Sequence, residues 1–430
     1  MTKKEFKAAM RRGLGRCVMA VRQKPEKYRD IVLWACKRNL AYDAQIEGTR
    51  SWYVYIMANT YPDREIFIRT VAEALRKYRP KAGWDLLYFS ELLMFFASDG
   101  WDFARKTVED KYQEFLAAMF ALKRRPRRVF HELTDLEELG LVLAEDRTAF
   151  LRIAKDFGRL YREKSYMTDG EFPWFFAEKG GQYRKTLEHA AQKDEDIACF
   201  LQRESADIAA REERWAQQKA SYPDGLTGVR LSRWLRNHAD TETVEQYAAA
   251  YREQTQPELR AQALETFSWC PYPDAPLPII EDTQSDHEAL QSAAWRALEN
   301  LRNPVVRKFA LENVDKGIRT PENFALLVTN YLSDDAKLLE TLLWEFVATR
   351  DWDAVHAAGM DVYRVFEKDS GIPRPKHLLP ILYEYNPCSF CRESALRFMS
   401  GHRMLTKEIL EECQFDSSYE IRRFAEKRLK

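Results

Sequence analysis

Apolar residues recur at helical spacing along almost the whole chain, and alternation of period two is hardly seen. Phe6, Met10, Leu14, Val18 and Val21 make one stripe, with Lys4, Lys7, Arg11, Arg12 and Arg22 off it. Ile66, Val71 and Leu75 belong to a second stripe, and Phe115, Met119 and Leu122 to a third. A period near 3.6 demands amphipathic helices and requires no strands. Helix starts are signposted as well. Asp63, Asp240, Asp334, Asp351 and Thr406 each precede an apolar-periodic run, where an N-cap belongs. Pro62, Pro257, Pro304, Pro321 and Pro387 lie at or beside first helical turns, where a missing N–H costs nothing. Glycine, at 16 of 430 residues, is about half its usual share. That scarcity argues against tight-hairpin β folds and Gly-rich phosphate loops.

Comparing the chain with itself adds a frame: apolar residue, Arg, two residues, Ala, three residues, apolar residue. It occurs as Leu259-Arg260…Ala263…Phe267, Val306-Arg307…Ala310…Val314, Cys391-Arg392…Ala395…Met399 and Ile421-Arg422…Ala425…Leu429. Leu290-Gln291…Ala294…Leu298 is a degenerate copy. Leu259 lies 31 residues before Leu290, and Cys391 lies 30 before Ile421, a solenoid-like period. The pattern resembles the HEAT repeat over about 241–430 and departs from it earlier, where 43–50 and 99–105 look like entries to irregular repeats. The resemblance implies an all-α superhelix of antiparallel helix pairs, an α-solenoid of about twenty helices. Breaks at Thr168–Pro173 and Ser221–Gly228, around a charged stretch, divide it into 1–168, an irregular helical array; 169–225, a charged helical bridge; and 226–430, a HEAT-like array.

Lys+Arg and Asp+Glu both number 67, which excludes a uniformly basic nucleic-acid clamp. The balance conceals polarity. Residues 1–50 carry 13 basic against 5 acidic side chains, and 251–300 carry 3 against 9. Seven scattered cysteines do not look like a secreted disulfide framework. Neither a signal-peptide apolar stretch nor a membrane-length apolar run is found, so a cytoplasmic protein without membrane contact is expected.

Catalytic motifs are not found: no Walker-type loop, Gly-x-Gly-x-x-Gly, Gly-x-Ser-x-Gly or His-Glu-x-x-His. No catalytic residue, metal ligand, cofactor or small-molecule substrate is therefore assigned. Cys388-Ser-Phe-Cys391 has metal-like spacing, and zinc would need two further ligands, with His377, His402 and Cys413 near in sequence. Cys391 occupies an apolar frame position, so the reading adopted is a small core residue. Basic residues cluster at Arg11, Arg12 and Arg16, and again at Lys123, Arg124, Arg125, Arg127 and Arg128. The resemblance implies a non-catalytic scaffold or adaptor binding a protein or peptide on a concave surface. The alternative is a nucleic-acid-binding or DNA-base-modifying HEAT-like protein that uses the two basic clusters, with Trp52, Trp84 and Trp101 available to stack on bases. The Trp-x-x-x-Asp spacing sought for a base-excising relative is missing. Phe172–Phe176, at a break, reads as a plug between blocks or a binding patch.

Overall fold

The computed structural model describes residues 1–80, 85–123, 129–164, 183–220, 226–367 and 373–430, and no strand occurs among them. The fold is all-α. Two compact units are distinguished: 1–215 together with 406–430, and 216–405. The composition-based division places 226–430 in one array; residues 406–430 pack instead within the first unit. The Arg124–Arg128 cluster, Trp84, Thr168–Pro173, Phe172–Phe176 and most of Ser221–Gly228 lie outside the described residues.

The first unit opens with helix Lys3–Arg12, started by a reciprocal cap. Thr2 Oγ1 accepts the Glu5 N–H at 3.2 Å and Glu5 Oε2 accepts the Thr2 N–H at 2.7 Å. Gly13, at φ 77°, ends that helix in the left-handed conformation glycine adopts without strain. The stripe Phe6, Met10, Leu14, Val18 and Val21 is fully buried. Burial of side chains of this size contributes about 1.5–3 kcal/mol each. In helix Glu65–Lys77 the inward stripe is Phe67, Ile68, Val71, Ala72 and Leu75, whereas Ile66 is 43% exposed. The helix begins two residues after Asp63, whose carboxylate takes the Arg29 guanidinium instead of capping. Asp240, Asp351 and Thr406 do cap, accepting the N–H groups of Thr243, Ala354 and Ile409.

Tyrosines fasten the first unit across long sequence gaps. Tyr28, Tyr53, Tyr61 and Tyr88 donate their hydroxyls to the carbonyls of Met1, Leu14, Pro25 and Ala35, at 2.7, 2.6, 2.8 and 2.9 Å. Helices Lys407–Cys413 and Tyr419–Leu429 close on its start. The Ser417 N–H donates to the Gly13 carbonyl at 2.8 Å. Gly15 approaches the Glu412 carbonyl so closely that a Cβ there would clash.

The second unit contains the recurring frame, now with its partners. Val306, Cys391, Leu290, Ala294, Ala310 and Ala395 are buried. Leu259 departs from it at 42% exposed, because helix Pro257–Glu265 is turned so that Ala261 and Leu264 face inward. Ile421 and Ala425, the last copy, are buried in the first unit. The frame arginines Arg260 and Arg307 are half-buried and paired with Asp282 and Asp335 at 2.7 and 2.6 Å. Asparagines supply a second regularity. Asn300, Asn330 and Asn386, each buried, donate Nδ2 to the carbonyls of Ser268, Leu301 and Val355, which lie 32, 29 and 31 residues earlier.

Candidate functional sites

Helix Trp352–Glu367 and the start of helix Ser389–Gly401 bring His356 together with Cys388 and Cys391, more than thirty residues later in sequence. His356, Cys388 and Cys391 have ligand atoms all within 4.8 Å of one another. Cys391 Sγ is 3.4 Å from His356 Nδ1 and 3.8 Å from Met360 Sδ. Both thiols are buried, His356 is partly exposed, and Met360 is 49% exposed. Cys388 is the N-cap and Cys391 falls in the first turn of its helix, while His356 and Met360 stand one turn apart on the facing one. Asn386, fully buried, ties the two sides. It accepts the Cys388 N–H at 3.1 Å and donates to the carbonyl of Val355, the residue before His356, at 3.1 Å. Gly359 makes room for this amide, since a Cβ there would come within 2.5 Å of Asn386 Nδ2.

The ligands considered from sequence proximity fall elsewhere. His377 lies 2.9 Å from the Ala336 carbonyl and burial lowers its pKa; His402 packs edge-on against Phe366. Cys413 belongs to the first unit. Sequence reasoning misses His356 because it precedes the Cys pair by more than thirty residues. The sequence signal for it is the separation of about thirty residues between copies of the frame, close to the 32 that separate His356 from Cys388.

A second feature of 216–405 is a groove of about 620 Å³ beside helix Glu288–Leu298. Glu288, Glu299 and Glu322 line it together with Trp295, Thr320 and Arg296. Arg296 is already paired with Glu265 at 3.1 Å. Glu299 and Asp361 flank Arg364 at 3.5 and 3.1 Å. Burial nevertheless raises both carboxyl pKa values, Asp361 to about 8, because desolvation outweighs the single shared cation. Two of the groove's three acidic side chains, Glu288 and Glu299, come from the acidic stretch 251–300, and Glu322 lies beyond it.

The basic residues singled out from sequence are distributed differently. Arg12 is buried, and Arg16 Nε pairs with Glu412 Oε1 at 2.8 Å, so both serve the first unit's own packing. Arg11 stays exposed and joins Lys7 and Arg38 around one ring, with centroid distances to Trp34 of 5.5, 4.2 and 4.7 Å. Lys123 is exposed; Arg124, Arg125, Arg127 and Arg128 lie outside the described residues. Trp52, expected to be free for stacking, is covered by the Arg422 guanidinium at 3.6 Å. No described helix is long and apolar enough to cross a membrane.

No family model, curated protein or solved structure matches this chain.

Proposed function

We propose that the protein is a non-catalytic adaptor of HEAT-like helical-repeat build that holds a protein or peptide partner, and that the partner presents a basic segment. The acidic groove beside helix Glu288–Leu298 carries this reading. The exposed carboxylates of Glu288 and Glu322, with Trp295 in the same groove, match Lys and Arg side chains, whose stems cover apolar surface while their heads pair with acids. The recurrence of asparagine ties at 29 to 32 residues supports the repeat build. The test is titration of lysine- and arginine-rich peptides into the full chain at low and moderate salt. Charge reversal by Glu288→Lys with Glu322→Lys weakens binding at least tenfold. Equal affinity of wild type and variant, or no binding at low salt, overturns the proposal.

A second reading rests on the first unit. Lys7, Arg11 and Arg38, gathered around Trp34, present three cations, which suits the phosphates of a nucleic-acid strand. Under that reading, single-stranded DNA or RNA binds with strong salt dependence. Replacing the three cations by Ala then lowers the slope of log affinity against log salt by about one for each phosphate no longer neutralised. Absence of binding at low salt removes it.

A further inference from the structure

We propose that His356, Cys388 and Cys391 form a binding site for a single zinc(II) ion. Zinc held at about 2.3 Å from sulfur and about 2.0–2.1 Å from an imidazole nitrogen in tetrahedral geometry sets the S···N edge near 3.5 Å and the S···S edge near 3.8 Å. The 3.4 Å between Cys391 Sγ and His356 Nδ1 is already that edge, and the remaining separations are within 4.8 Å. Two thiols and one imidazole are soft and borderline donors of the kind zinc selects. Binding is balanced as follows: each thiol releases its proton to solvent, the two sulfur lone pairs and the Nδ1 lone pair form the bonds to zinc, and no group is oxidised. Two thiolates cancel the ion's double charge, so the occupied site is neutral overall, which its buried position requires.

The surroundings are built for such a cluster. Asn386 fixes the backbone at Cys388 and at Val355 through one buried amide, so the distance between thiol and imidazole does not depend on loop conformation. Asn300 and Asn330 make comparable ties elsewhere in the unit, but no described cluster of metal-ligand type forms beside them. The ligand set is thus added to the repeat at this one position. His356 is partly exposed and Met360 is 49% exposed, which leaves the ion a way in.

The test uses the full chain, reduced and stripped of metal, with cobalt(II) as the spectroscopic stand-in for zinc. One equivalent of cobalt gives thiolate-to-metal charge-transfer absorption and the visible bands of a tetrahedral ion, one equivalent of zinc abolishes both, and proton release is measured in weak buffer. Cys388→Ser removes the charge-transfer band or halves it. His356→Ala, at a partly exposed position where far-UV circular dichroism stays unchanged, weakens zinc binding at least about tenfold in competition with a chromogenic chelator. Cys199→Ser, at a partly exposed cysteine outside the site, leaves the band intact. Absence of the band with thiols shown to be reduced overturns the proposal. So does equal zinc affinity in wild type and His356→Ala, or uptake of copper(I) with zinc and cobalt ignored.

Discussion

In residues 1–215 with 406–430 four long ties between helices run from tyrosine hydroxyls to backbone carbonyls, whereas in 216–405 three run from asparagine amides. Tyrosine is long and offers one donor, so it bridges helices at whatever separation the fold presents. The four ties span 27, 39, 36 and 53 residues. Asparagine is short and both donates and accepts, so it works only where helix ends come equally close each time. Its ties span 29 to 32 residues. The four tyrosine ties are thus unevenly spaced and the three asparagine ties nearly even, in keeping with the different reach of the two side chains.

Four experiments bear on that contrast, beginning with the largest effect. Each unit buries a carboxyl whose pKa is raised to about 8: Glu138 by desolvation and then Asp135 and Glu91, and Asp361 by desolvation against Arg364, with Glu299 and Glu322 adding to the rise. A folded pKa above the unfolded value of about 4 means stability is present below pH 4 and lost as pH climbs through 8. Glu138→Gln or Asp361→Asn should flatten this fall, recovering on the order of 4 kcal/mol at pH 8. Urea titrations at pH 5 and pH 8 measure it, and an unchanged slope in both variants would contradict the assignment.

Gly15→Ala comes next. The added methyl meets the Glu412 carbonyl, and overpacking at backbone costs about 3 kcal/mol. Limited proteolysis should then cut within 406–430 first, leaving 216–405 resistant; simultaneous cutting in both units would remove the distinction between them. Asn330→Ala leaves the Leu301 carbonyl and the Asn303 N–H without their partner, for about 2 kcal/mol. Tyr53→Phe removes one hydrogen bond to the Leu14 carbonyl, for about 1 kcal/mol. Chemical denaturation ranks the two, and a destabilisation by Tyr53→Phe as large as that by Asn330→Ala would erase the difference in kind.

Much of the helical architecture was legible because it is local. The fully buried stripe from Phe6 to Val21 follows from spacing alone, and Asp240, Asp351 and Thr406 cap through their own side chains. Expectations failed where a distant partner competed. Asp63 looked like a cap but is claimed by Arg29, and Leu259 fitted the frame while its helix turned Ala261 and Leu264 inward. The candidate sites were least legible. The Cys pair was visible, but His356 depends on which helix faces which, and the acidic groove appeared only as a charge imbalance in composition. The ties of Asn300, Asn330 and Asn386 carry no sequence signal, since an amide ending a helix shows nothing of what it reaches.

The closure of residues 406–430 onto Gly13 and Gly15 has a consequence for the order in which the chain matures. The 190 residues of 216–405 are synthesised between the two halves of the first unit, which takes roughly 10–40 s at usual rates of translation. Throughout that interval the first unit's opening helices lack the segment that completes them. The unit begun second is thus finished first, and the unit begun first waits for the ribosome.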